Sequence, residues 1–221
     1  MDSATTGPRA RHDPADRRRQ LLAAAVAEAD DVGLDALTPA GVGARAGASK
    51  ALVFHYFGST TQLRRAVALE AVADLERLLV LDGGQAADDT PLAERPARAV
   101  AAFLTSVTGH RRIWESVWRG VLAADDATED ALRRTRAALV ARMTTTAGII
   151  GFTPSDRLQL LAGGWVALVE NVTAAWLGGG EISRDELERL LLSSLVVLVP
   201  ELPEPACSAV LEITRSNSTR P

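Results

Sequence analysis

The side chains able to do chemistry are few and scattered. His12, His55 and His110 are the only histidines, no two of them stand within a helical turn of one another, and Cys207 is the single cysteine. A zinc centre needs three or four such groups brought together, so a metal site has little to build on, and no cofactor is expected. Asp125, Asp126, Glu129 and Asp130 crowd one short stretch. A divalent cation is one use for them; a favourable place at the start of a helix, where the dipole welcomes acids, is the other. No nucleophile-elbow or phosphate-loop spacing occurs, and Gly178 to Gly180 lack a following lysine. The chemistry on offer is binding rather than catalysis.

The stretch best suited to binding is Thr38 to Phe57, TPAGVGARAGASKALVFHYF. Thr38 is placed to cap a helix whose first residue is Pro39, where a missing N–H costs nothing. Gly47 stops it, and Ser49 is placed to cap a second helix. In that helix Val53, Tyr56 and Phe57 fall at i, i+3 and i+4 and share a buried face. Ala51, Phe54 and His55 lie opposite, flanked by Lys50 and Leu52. Two short helices around a glycine turn suit a DNA major groove, and the same pattern serves two helices that merely pack together. The flanks supply context: RRRQLLAAAVAEADDVGLDALT is amphipathic and ends at Gly33, and GSTTQLRRAVALEAV opens another helix with Ser59 and Gln62 spaced as a capping box.

With those flanks, residues 17–77 resemble the DNA-binding domain of the TetR (tetracycline repressor) family, and AGASKALVFHYFGS is the most specific part of the likeness. The resemblance implies an all-α fold: an N-terminal three-helix DNA-binding domain with a helix–turn–helix, then a larger helical domain for ligand binding and dimerisation. It implies a one-component transcriptional regulator, typically a repressor, that binds a double-stranded DNA operator as a homodimer and is released by a small apolar ligand. Thr38, Arg45, Lys50 and Tyr56 would position the DNA; Ala51, Leu52 and His55 would face bases, with Ser49 at the head of the reading helix. The sequence departs from the family where its usual Gly-Thr-Leu-Tyr becomes Ala51, Leu52, Val53 and Phe54. Two hydroxyls are lost, and Leu52 offers instead an apolar contact to a thymine methyl. Thr60 also replaces a common lysine.

Composition fits that organisation. The chain is 47% hydrophobic and 24% charged over 221 residues, enough for one or two domains with a real core. Leucine and alanine dominate, which favours helix. Net charge is −4, but nine basic residues against seven acidic ones fall in the first 65, so one end can approach phosphate while the rest is acidic. The polar, arginine-rich start is unlike a signal peptide. The most apolar run, Leu160 to Leu177, carries Glu170 and Asn171 at its middle. A central acid costs roughly 2.5 to 3.5 kcal/mol on insertion, so the run reads as a buried helix rather than a membrane span. A cytoplasmic protein with no membrane partner is expected, and a lone cysteine requires no oxidising compartment.

In order, residues 1–12 read as a flexible arm, 13–77 as the DNA-binding domain, 78–200 as the ligand-binding and dimerisation domain, and 201–221, with Pro200, Pro203 and Pro205 at the boundary, as a mobile tail. A helix from Thr60 to about Leu81 would join the two domains as a lever, before a loop from Asp82 to Pro91. In the helix from Ser155 to Leu177, Leu161, Trp165, Leu168, Val169, Val172 and Trp176 form a bulky stripe, while Gly163, Gly164, Ala167, Asn171 and Ala174 leave the other side nearly bare. That side, with Leu191 and Leu195 of the following helix, is the expected dimer interface, a four-helix bundle of two copies. Phe103, His110, Trp114, Trp118, Met143, Trp165 and Val169 are the expected walls of a small-molecule pocket, or else simply core. The competing reading is a helical enzyme or carrier using the same apolar cavity; its weakness is the want of convergent titratable groups.

Overall fold

In a computed structural model the described residues are 13–82, 90–91, 93–145 and 154–218. The expected arm at 1–12 and most of the expected loop lie outside them. The described chain contains no strand and runs through ten α-helices. In order they are α1 (Pro14–Val32), α2 (Pro39–Arg45), α3 (Lys50–Phe57), α4 (Thr60–Glu76), α5 (Arg95–Gly109), α6 (Arg111–Arg119), α7 (Asp126–Thr145), α8 (Asp156–Leu177), α9 (Arg184–Ser193) and α10 (Ala206–Ser218). A π-helical stretch, Arg77–Asp82, prolongs α4, and a 3-10 stretch, Ser194–Glu201, prolongs α9.

Local chemistry sets the starts. Thr38, Ser49, Ser59 and Ser155 each accept a hydrogen bond from a backbone N–H in the first turn of the helix they precede, satisfying donors that otherwise have no partner. Ser183 and Glu186 form a full capping box at α9. Gly47 takes φ +57 in the turn between α2 and α3, a conformation that side chains with a Cβ disfavour. Gly43 allows the turn to fold back closely, because a Cβ there would stand 2.7 Å from the carbonyl oxygen of Ala48.

Leu21, Ala25, Ala29, Leu34, Leu37, Val42, Val53, Phe57, Leu63 and Val67 are buried together and hold α1 to α4 as one head. The second domain packs α5 to α10 around Val100, Leu104, Ile113, Trp114, Leu158, Ala162, Val166, Leu187 and Leu191. Polar contacts join the two parts. Arg65 of α4 grips Asp125 through Nε, at 2.9 and 3.0 Å to its two oxygens. His110 Nδ1 lies 2.9 Å from Asp30 of α1, and Ser116 reaches Asp35 at 3.5 Å.

Three expectations need correction here. The region read as a mobile tail holds α10, whose Ala206, Val210 and Ile213 recur at i, i+4 and i+7 and bury themselves against α9 and the 3-10 stretch. The prolines end the preceding helical run without preventing a new one. Leu191 and Leu195 are not a free face, because their own chain buries them. Ala174 is likewise buried; along α8 from Leu160 onward the outward residues are Leu160, Gly164, Ala167, Leu168, Asn171 and Ala175. Asp156–Leu177 is long and apolar enough to cross a bilayer by composition alone, yet its Trp165, Val166, Val169 and Leu177 pack into the chain and Glu170 is ion-paired.

Candidate nucleic-acid interface and ligand cavity

Helix α3 presents one open face. Lys50, Ala51 and His55 are exposed, Leu52, Phe54 and Tyr56 are half-buried, and Val53 and Phe57 anchor the helix inside. Lys50 Nζ sits 5.6 Å from the Phe54 ring centroid, and the His55 and Tyr56 rings meet edge to face at 5.4 Å. Thr38 and Ser49 are exposed, but their hydroxyl oxygens already accept from Gly41 and Leu52 N–H groups at 3.1 Å. Arg18 of α1 lies over the Phe57 ring at 5.3 Å, so the arginine-rich start of α1 stands beside the C-terminal end of α3.

Arg45 differs from the expectation of a DNA-positioning cation. Its Nε donates to Glu28 at 2.9 Å and a second nitrogen donates to Asp31. These hydrogen bonds raise its pKa further and tie α2 to α1. Arg64 does a related job, donating to the Asp35 and Leu37 carbonyls at 2.5 and 3.4 Å. Neither role was visible in spacing, because all four acceptors lie far along the chain from their arginines.

A half-open cavity of about 210 Å³ lies between α4, α5, α7, α8, the 3-10 stretch and α10. Phe103, Met143, Trp165 and Val169 line it, and Leu75 from the end of α4 and Leu79 from the π-helical stretch that prolongs it form part of the same wall. His110, Trp114 and Trp118 do not. His110 is held by Asp30 at the junction with α1, Trp114 is fully buried, and Trp118 leans on it with centroids 4.9 Å apart. The wheel could not separate these aromatics, since α5, α6 and α7 each have one apolar side and only their crossing decides which side meets a void.

Sequence reasoning missed Arg95, Arg136, Arg142 and Glu170, which also line the cavity. A carboxylate in the middle of an apolar helix was the available signal, since buried charges are normally paired. Glu170 accepts from Arg136 Nε at 2.9 and 3.0 Å. Burial works against the Arg136 charge, but Glu170 and Glu129 together outweigh it and the guanidinium pKa is raised. Arg142 goes the other way: burial, then the nearby Arg95 charge, lower it.

Three of the four crowded acids are committed to arginines. Asp125 receives Arg65 and also accepts from the Thr128 N–H and hydroxyl at 3.0 and 2.9 Å, which caps α7. Glu129 pairs with Arg136 and Asp130 with Arg133. Among the described residues no three His, Cys, Asp or Glu side chains are grouped as metal ligands.

Comparison with known proteins agrees with this architecture. Residues 21–67 match the model for bacterial regulatory proteins of the tetR family, and residues 92–198 match a tetracyclin repressor-like C-terminal domain. A curated relative, the HTH-type transcriptional regulator BetI 2 of Chromohalobacter salexigens, is 33% identical over 104 residues, 46% of this chain. The match spans 50% of that relative's length. A tetR-family transcriptional regulator from Streptomyces coelicolor superposes with TM-score 0.74 at 24% identity, covering 92% of this chain and 90% of that one. A TetR-family regulator from Marinobacter aquaeolei gives 0.59 at 19%, covering 92% and 98%. These two likenesses speak for the fold. With one family domain matched on each side of the end of α4, and with the helix–turn–helix and the cavity in their places, the chain belongs to the TetR family of transcriptional regulators.

Proposed function

We propose that the protein is a one-component repressor of the cytoplasm, with no membrane partner. A homodimer would bind a near-palindromic operator with its two α3 helices one groove turn apart, about 34 to 36 Å. A small molecule with an apolar body would enter the cavity and release it. The observation that carries this reading is the reach of α4. Its first turns put Leu63 and Val67 in the core that holds Val53 of α3, and its far end with the π-helical stretch that prolongs it puts Leu75 and Leu79 on the cavity wall. A ligand that binds one arrangement of that helix better than another shifts the spacing of the readers, and by linkage the operator weakens the ligand equally.

Lys50, Thr38 and Tyr56 would position the backbone, and Ala51, Leu52 and His55 would meet base edges from α3, with Ser49 at its head. Arg45 would steady the reader from behind. The outward faces of α8 and α9, bearing Gly163, Gly164, Ala167 and Asn171, would meet their copies across a two-fold axis. The test is a gel shift with the DNA flanking the protein's own coding region. Specific retardation is expected; equal retardation of unrelated DNA, or none at low salt, would favour an enzyme or carrier.

A further inference from the structure

Most polar groups on the cavity wall already have partners. Arg136 donates to both Glu170 oxygens, Trp165 Nε1 donates to Ser194 Oγ at 2.9 Å, and the Thr144 hydroxyl donates to the Val140 carbonyl at 2.9 Å. Thr135 is different. It lines the cavity and is only 5% exposed, yet its Oγ1 is sealed from water with no hydrogen-bond partner. Among the described residues it is the one buried side-chain polar atom of that wall left so. Thr135, Leu139 and Met143 all reach the wall at i, i+4 and i+8 of α7, which sets this hydroxyl in line with two apolar side chains. A buried hydroxyl without a partner has lost its hydration and gained nothing for it. One remedy is to bond its own helix, as Thr144 does; Thr135 does not take it. The other is a ligand. A threonine in a helix has two favoured χ1 wells, so a turn about Cα–Cβ carries the hydroxyl toward the void that the residue lines.

We propose that the cavity takes an uncharged molecule with an acceptor oxygen, of the ketone, ester or alcohol class: Thr135 donates its hydroxyl to that oxygen, and a hydrocarbon body lies against Phe103, Leu139, Trp165 and Val210. One hydroxyl replaces the lost hydration of an uncharged oxygen far better than that of a carboxylate. This deepens the reading of the cavity as the ligand site and rests on it. An apolar cavity of about 150 Å³ takes benzene; the 210 Å³ here suits a somewhat longer body, so 2-octanone is the probe.

Depletion of the vapour above a solution of the full chain measures the binding of volatile probes. The pair to compare is 2-octanone and 2-methyl-1-octene, the same shape with a methylene in place of the oxygen. Both are expected to bind the wild type. Thr135→Val exchanges the hydroxyl for a methyl group, so it should weaken 2-octanone by about tenfold and leave the alkene within about threefold; Thr135→Ser should keep 2-octanone within about threefold. A residue that only packed would move both probes together. If Thr135→Val fails to fold, the infrared carbonyl stretch of 2-octanone bound to the wild type decides, and it should lie below its position in hexane. A band at the hexane position, a 2-octanone affinity untouched by Thr135→Val, an equal loss of both probes, or a wild type that binds the alkene and not the ketone overturns the Thr135 contact alone. No binding of either probe overturns the cavity as a ligand site, and release by a ligand falls with it.

Discussion

Lys50 and Arg45 are both cations of the helix–turn–helix, and their surroundings separate their roles. Lys50 is exposed and its ammonium rests only on the Phe54 ring, so turning it to a phosphate breaks no charged pair. Arg45 would have to leave Glu28 and Asp31. Lys50→Ala is therefore expected to weaken binding to specific and unrelated DNA alike and to reduce the slope of log affinity against log salt by about one. Arg45→Ala is expected to leave that slope unchanged and to lower the melting temperature of the head instead. Affinities measured across a salt series, beside thermal melts, check both. A reduced slope in Arg45→Ala would return that residue to the DNA face.

At the scale of elements, the joint between α4 and α7 depends on Asp125, which caps α7 through Thr128 and receives the Arg65 fork. Arg65 chiefly, with help from Thr128 and against some burial, holds its carboxyl below the usual range. A folded pKa below the unfolded one means the stabilisation is present at neutral pH and is lost as pH falls through the folded value. Asp125→Ala should cost about 1 kcal/mol as a lost cap, and its stability deficit should shrink in acid. A deficit that grew on acidification would exclude this account. α10 offers a second check: Ile213 is buried and lines the cavity, so Ile213→Ala should cost about 2 kcal/mol or more in denaturant melts, whereas a mobile tail would register no loss. The same elements mark what was legible. Caps, turns and the apolar faces of α1 to α4 are local, so Thr38, Ser49 and the buried Val53 stood where spacing put them. The cavity depends on how helices far apart in sequence cross. Trp165 and Trp118 look alike on a wheel, yet only the first meets the void. Leu191 and Leu195 look like interface and are core.

For the whole molecule, the number of copies that bind DNA together decides how an operator is held. On α8, Leu160 is 76% exposed and Leu168 39%, and on the neighbouring segment Leu190 is 50% and Val196 51%. Between these apolar side chains a Cβ added at Gly163 or Gly164 would meet nothing within 4 Å. A surface of large side chains around bare backbone lets a second helix approach closely, and a self-complementary pairing would bring Ala167 near its own copy. Ala167→Arg would then set two cations against each other across the axis, with no partner inside one chain to suffer, because Ala167 is exposed there. Light scattering is expected to show the mass falling from twice 23.4 kDa to one chain at micromolar concentration, with far-ultraviolet circular dichroism unchanged. Operator binding should weaken far more than binding to a half-site, because a monomer has one reader. Leu191→Ala is the contrast: it empties a fully buried site, so it should cost about 2 to 5 kcal/mol of stability before it touches assembly. An Ala167→Arg chain that stayed dimeric and kept its operator would place the two-fold axis on another face.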